Sequence, residues 1–206
     1  MLRLQCGNVK ENLPDLTPMS EAQLMTIRLS LICAAPPDGT AFPADQPASR
    51  PALDKLTPLA GADLCLISPL RRARDTAQAL GCQGVLVPAL AETDFGAWAG
   101  RAPADLLAEA PADFAAWLGD PTAAPHGGES FAQMAARVTG WLDALTPESG
   151  ELIAITHPGP IQALVLSVLD APLSAAARVS VKPLSRTRLS HDGRRWSLHP
   201  GAALFD

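Results

Sequence analysis

Apolar residues gather into four short runs, IRLSLIC (27–33), DLCLIS (63–68), VLVPAL (85–90) and ELIAIT (151–156). None alternates cleanly between apolar and polar positions, which is the pattern of strands covered on both faces of a largely parallel sheet. Between the runs the spacing becomes helical. Over 69–80, Leu70, Ala73, Ala77 and Leu80 line one stripe between Ser68, a capping residue, and Gly81. Over 129–145 the stripe is Phe131, Ala135, Val138, Leu142 and Leu145, and 159–169 is apolar enough for a buried helix behind the fourth run. Near the C-terminus, RTRLSHDGRRWSLH sets Asp192-Gly193 between alternating runs, a hairpin signal.

Strands that alternate with helices predict an α/β fold: a three-layer α/β/α sandwich with a mostly parallel sheet. The chain has 206 residues, enough for one domain with a real core. The reading is one domain over 26–206, preceded by a poorly structured extension over 1–25 in which Met19 and Met25 are alternative starts. That extension lacks the apolar core of a secretion signal. The segment 34–62 reads as a loop with at most one short helix, and 91–124, rich in Ala, Pro and Trp, as an inserted helical cap.

Composition narrows the partners. The net charge is −5 and no basic–aromatic interleaving occurs, which argues against nucleic acid and anionic membrane. An anionic ligand must therefore be caught by a local cationic pocket. No apolar stretch reaches the roughly 20 residues of a membrane span. Cys6, Cys33, Cys65 and Cys82 show no C-x-x-C spacing, so the expectation is a reducing, cytoplasmic compartment without an obligatory disulfide. No His, Asp and Glu cluster has metal-ligand spacing, and no cofactor is implied. The oligomeric state is left open between monomer and homodimer.

In an open parallel sheet, ligands bind where strands end and helices begin. The four run ends read CAAPP, SPLRRARDTA, LAETDFGAWAG and THPGP. In the second, Arg72 sits in a helix's first turn, where a guanidinium and free backbone N–H groups suit phosphate oxygens; a surface helix with solvated arginines has the same pattern. In the fourth, His157 stands at a strand-to-helix turn, able to donate to phosphate and stabilise developing charge, or simply to be a satisfied core histidine. Glu92 follows the third run and could protonate a leaving alkoxide if burial raises its pKa; alone, it equally suits a solvated loop. In PHGGES, Glu129 opens a helix, where dipole complementation is the structural alternative.

Taken together and in order, these segments resemble the histidine phosphatase superfamily, also called phosphoglycerate-mutase-like. SPLRRARDTA resembles its S-x-L-x-R-A-x-x-T-A segment, LAETDFGAWAG its L-x-E-x-x-x-G-x-W-x-G, GGES its P-x-G-E-S, and THPGPIQALV its second-histidine motif. The resemblance runs from about Ile27 to Leu198 and implies hydrolysis of phosphomonoesters through a transient phosphohistidine. It implies that Arg72 binds phosphate, that His157 binds phosphate and stabilises the transition state, and that Glu92 donates the proton. Glu129 ranks below Glu92 as acid and is expected to line the substrate entrance. The ligand implied is a small phosphorylated metabolite or inorganic phosphate.

The first strand departs from this pattern. Against the family's L-V-R-H-G, the segment LICAA places Cys33 at the arginine and Ala34 at the nucleophilic histidine. Alanine has no lone pair to attack phosphorus. Cys33 could serve as a thiolate if it faced the pocket, although cysteine phosphatases need C-x5-R and the residue six beyond Cys33 is Gly39. His126 is a further candidate, by proximity to Glu129 alone. Three readings follow: a phosphate-binding pocket with turnover impaired by Ala34; an active phosphomonoesterase that uses another nucleophile, or an inactivated variant of an active parent; and a non-catalytic interaction scaffold.

Overall fold

The computed structural model describes residues 27–59, 64–145 and 150–199. The extension expected over 1–25 lies outside them. Six strands form one sheet in the order β3-β2-β4-β1-β5-β6: β1 (Ile27–Cys33), β2 (Leu64–Ile67), β3 (Gly84–Leu86), β4 (Gly150–Thr156), β5 (Arg186–His191) and β6 (Trp196–His199). The first four run parallel, and β5 and β6 add an antiparallel hairpin beside β1. Asp192 closes that hairpin by accepting the backbone N–H groups of Arg194 and Arg195, with Gly193 at φ +87°.

Two helical layers cover the sheet. On one face α5 (Phe131–Asp143) and α6 (Pro158–Val168) bury Met134, Val138, Leu142, Ile161 and Leu164 against Leu29, Leu31 and Ala154. On the other, α2 (Arg71–Ala79) packs Ala73 and Ala77 on Ile32, Ile67 and Ile155. The three-layer α/β/α architecture is thus as expected. The small residues of α2 let it lie close to the sheet, whereas each large side chain buried beneath α5 and α6 contributes about 1.5–3 kcal/mol. Ser130 caps α5 in a reciprocal box with Gln133.

Two elements differ from the pattern-based expectation. The third apolar run is not one doubly covered strand: β3 is a three-residue edge strand with Val85 56% exposed, and Pro88–Leu90 turns into a 3₁₀ helix. Proline cannot donate to a sheet ladder, so pairing ends before it. The second helix opens at Arg71 rather than after Ser68, and Ser68 does not cap it. Asp45, from the loop after β1, accepts the Arg71 N–H instead at 2.6 Å. Among its described residues, that loop holds the short α1 (Arg50–Leu53).

Between β3 and α5 lie a 3₁₀ turn at Gly96–Trp98 and the helices α3 (Pro103–Glu109) and α4 (Pro111–Gly119), within the segment read as a cap. Phe42 from the loop after β1 meets Phe95, Trp98, Phe114 and Trp117 in edge-to-face contacts, giving the cap its own aromatic core. Its base is a crossing of two backbones. Ala97 N–H donates to His126 O and Glu129 N–H to Asp94 O, and a Cβ at Gly96 or Gly128 would strike the opposing chain. Gly96 of the GAWAG segment and Gly128 of the GGES segment are therefore demanded by contact. Replacing Gly128 by alanine is expected to cost about 1–3 kcal/mol or more from overpacking. The control Gly140→Ala, in an open and exposed stretch of α5, is expected to stabilise by about 0.5–1 kcal/mol. Urea unfolding of both variants checks the pair.

Candidate active site

The carboxyl ends of the three central parallel strands lie side by side, with Cys33 opposite Thr156 and Ile67 opposite Ile155. The residue just past each strand is consequently brought to one place: Ala34 after β1, Ser68 after β2 and His157 after β4. All three are fully buried. Sheet pairing continues one step into these positions, since Ala34 N–H donates to Thr156 O and Ser68 N–H to Ile155 O. The chain cannot swing there, and whatever side chain it carries is held where the strands put it.

Arg72 enters from the first turn of α2 and is only 6% exposed. Its Nη1 donates to Ala35 O at 3.3 Å, and its Nη2 lies 3.4 Å from His157 Nδ1. The other imidazole nitrogen, Nε2, is 2.8 Å from Ser68 Oγ. Thr76 ties helix to strand: its hydroxyl donates to Arg72 O and accepts the Ala35 N–H. This explains the threonine in SPLRRARDTA, which fixes the loop after β1 against the arginine's own helix turn. Among the described residues Arg72 makes no ion pair with a carboxylate. A guanidinium removed from water without an ion-pair contact is costly and can receive an anion. Burial, with Arg72 beside it, pushes the His157 pKa down to about 3, so the imidazole is neutral at physiological pH.

Glu92 is buried at the edge of the same group. Its carboxylate oxygens accept N–H bonds from Thr93 at 3.0 Å and from Gly159, in the first turn of α6, at 3.4 Å. A Cβ at position 159 would collide with the Glu92 carboxyl, which is why the turn after His157 carries glycine there. Loss of water raises the Glu92 pKa; the two N–H groups, Arg72 and Arg137 oppose the rise. A carboxyl shifted upward beside a cationic pocket has the character of a proton donor.

The remaining expectations divide. Glu129 does not touch Arg72 or His157. Arg137 takes both its carboxylate oxygens, at 2.9 and 2.7 Å, and also donates to the carbonyls of Ala89 and Ala91. The pair braces the stretch that delivers Glu92. Cys33 and Ala34 point to opposite faces, as strand alternation requires. Ala34 packs its methyl among Ile32, Ile67 and Ala73, and Cys33 lies on the side of Met134 and Ile161. Burial, with Glu92 nearby, pushes the Cys33 thiol up to about 12, so it is a protonated thiol rather than a thiolate nucleophile. His126 belongs to the cap: its ring lies against Phe95 and Trp98, and its Nδ1 accepts the Gly128 N–H. Sequence reading treated Ser68 as a helix cap and passed over Thr76. The S-x-L-x-R-A-x-x-T-A spacing held the signal for both. Among the described residues no group of His, Cys, Asp and Glu could hold a metal ion, and no helix is long and apolar enough to cross a membrane.

Comparison with known proteins bears on family and fold. The family profile of the histidine phosphatase superfamily (branch 1) matches residues 50–200. The chain belongs to that superfamily. Glucosyl-3-phosphoglycerate phosphatase of Mycobacterium tuberculosis is 38% identical over 141 residues, which cover 62% of this chain and 61% of that protein. The chain thus matches less than two thirds of that relative's length. The solved complex of mycobacterial glucosyl-3-phosphoglycerate phosphatase with inorganic phosphate superposes with a TM-score of 0.69 at 30% identity, covering 86% of this chain and 98% of that one. The α-ribazole phosphatase of Shigella flexneri, at 21% identity and a TM-score of 0.75 over 86% and 96% of the two chains, shares the fold.

The histidine sets the acid limit of this superfamily member. Because His157 has a lower pKa folded than unfolded, its neutral form is the one that folding selects. Its stabilising effect is complete above the unfolded pKa near 6.5 and falls away as the pH drops toward the folded value of about 3. Urea unfolding at pH 5 should therefore show a loss of about 2 kcal/mol relative to pH 7, with the loss reduced in His157→Asn.

Proposed function

We propose that this chain binds phosphate and small phosphomonoesters in the pocket formed by Arg72 and His157, and that Ala34 leaves it without the nucleophile for covalent turnover. The observation that carries the reading is the buried Arg72 guanidinium, unpaired with any described carboxylate and in contact with a neutral imidazole. Such a group is best satisfied by a tetrahedral oxyanion, and the first turn of α2 adds its dipole. Relatives named as phosphatases of glucosyl-3-phosphoglycerate and phosphoserine support a phosphomonoester as the ligand class. Glu92 retains the place and the raised pKa of a general acid, so the proton-donating half of the chemistry stands while the attacking half is absent. Cys33 does not replace it, being protonated and turned to the opposite face from Ala34. The unpaired Cys33, Cys65 and Cys82 suit a reducing cytoplasm as the site of action.

Two measurements test the reading. Phosphate at millimolar concentration should raise the melting temperature, and Arg72→Ala should abolish the shift; an unchanged melting temperature in the parent chain would favour a scaffold with a vestigial pocket. Aryl-phosphate hydrolysis should be at background for this chain and should rise by at least ~100-fold in Ala34→His, if only the nucleophile is missing. Robust turnover by the unaltered protein would overturn the assignment.

A further inference from the structure

The hydrogen-bond roles around His157 follow from what each partner can do. A guanidinium has donors and no acceptor, so Arg72 Nη2 donates and His157 Nδ1 accepts. The ring is neutral, hence its single proton sits on Nε2 and is given to Ser68 Oγ at 2.8 Å. Ser68 Oγ also accepts the Leu70 N–H at 3.3 Å, so two donors converge on this hydroxyl and fix its orientation. The titratable and charged groups around the pair are Arg72 from α2, Glu92 from the stretch before the cap, and Cys33 at the end of β1. In this arrangement both imidazole nitrogens are engaged and neither offers a hydrogen to a ligand.

An oxyanion arriving at Arg72 changes that balance. An anion that takes the N–H now directed at Nδ1 would leave that nitrogen facing it with a bare lone pair. We propose that Ser68 is the positioning residue for His157, and that an oxyanion enters this pocket together with one proton. The proton, taken from solvent, adds to Nδ1, which then donates to the anion, while Nε2–H stays on Ser68. No covalent bond to phosphorus or sulfur forms or breaks. The inference rests on the phosphate-binding reading above and specifies how that same pocket is regulated by pH. It also gives the serine of the S-x-L-x-R segment a function distinct from capping: it accepts the Nε2 proton in both states and holds the ring where its other nitrogen can meet the ligand.

Sulfate is the probe of choice, because it remains a dianion across the neutral range and its own titration does not enter. Calorimetry of sulfate binding should show affinity rising about tenfold per pH unit as the pH falls from about 8 to 6, with close to one proton taken up per sulfate in buffers of different ionisation heat. His157→Asn should bind more weakly and without that pH dependence. Ser68→Ala should shift the pH profile toward acid, and Ser68→Thr should restore it; a merely structural loss would lower affinity equally at all pH values. Nitrogen-15 spectra of the free protein should show His157 protonated on Nε2 alone. Sulfate binding with the same affinity at both ends of the range, or an Nδ1–H tautomer in the free protein, would overturn this inference while leaving the pocket intact. Absence of sulfate binding at every pH would overturn the inference and the phosphate-binding assignment together.

Discussion

A positive charge held out of water without an ion-paired carboxylate among the described residues organises this molecule. Arg72 could not sit where it does unless its N–H groups were met by other means, and the fold supplies them: the carbonyl of Ala35 and the Nδ1 lone pair of His157. Each needs support in turn. Ala35 is fixed by Thr76, whose hydroxyl links it back to Arg72's own carbonyl. His157 is fixed by Ser68 and by pairing between β1, β2 and β4. These contacts satisfy hydrogen bonding, but none of them neutralises the charge. That residual charge is what the proposed anion binding rests on.

The acidic side of the pocket is built with comparable redundancy. Glu92 is held by backbone N–H groups from its own turn and from α6, and the stretch that carries it is clamped by Arg137. Glu129, opposite on the cap's base, serves this clamp through its pairing with Arg137. The two carboxylates of the motif-bearing segments thus have different work, one facing the pocket and one holding its neighbour in place. Gly159, Gly96 and Gly128 mark the points where these pieces touch with no room for a side chain.

The end of β1 departs from the resemblance at two adjacent positions, Cys33 and Ala34. Its backbone is in register and its two residues alternate as a strand should, yet Ala34 contributes a methyl to the α2-side core and Cys33 a protonated thiol to the other. On the reading proposed above, the pocket holds a phosphorylated ligand without attacking it. The same geometry explains why restoring one side chain is a meaningful experiment: the position is already rigid and already adjacent to the machinery.

Hydrophobic spacing alone determined the layers. The runs at 27–33 and 151–156, and the helical stripe over 129–145, specify their elements because burial of a strand or a helix face imposes a period that local sequence must obey. The motifs singled out Arg72, Glu92 and His157 as candidates, since a strand's last residue and a helix's first turn are legible as neighbours in sequence. What lay beyond reach depended on long-range contact. That Asp45 rather than Ser68 caps α2, that Cys33 is held as a thiol, and that Ser68 faces His157 across 89 positions all follow from contacts between segments distant in sequence. Hydrogen-bond partners and desolvation are properties of the assembled interior, and only the tertiary structure decides them.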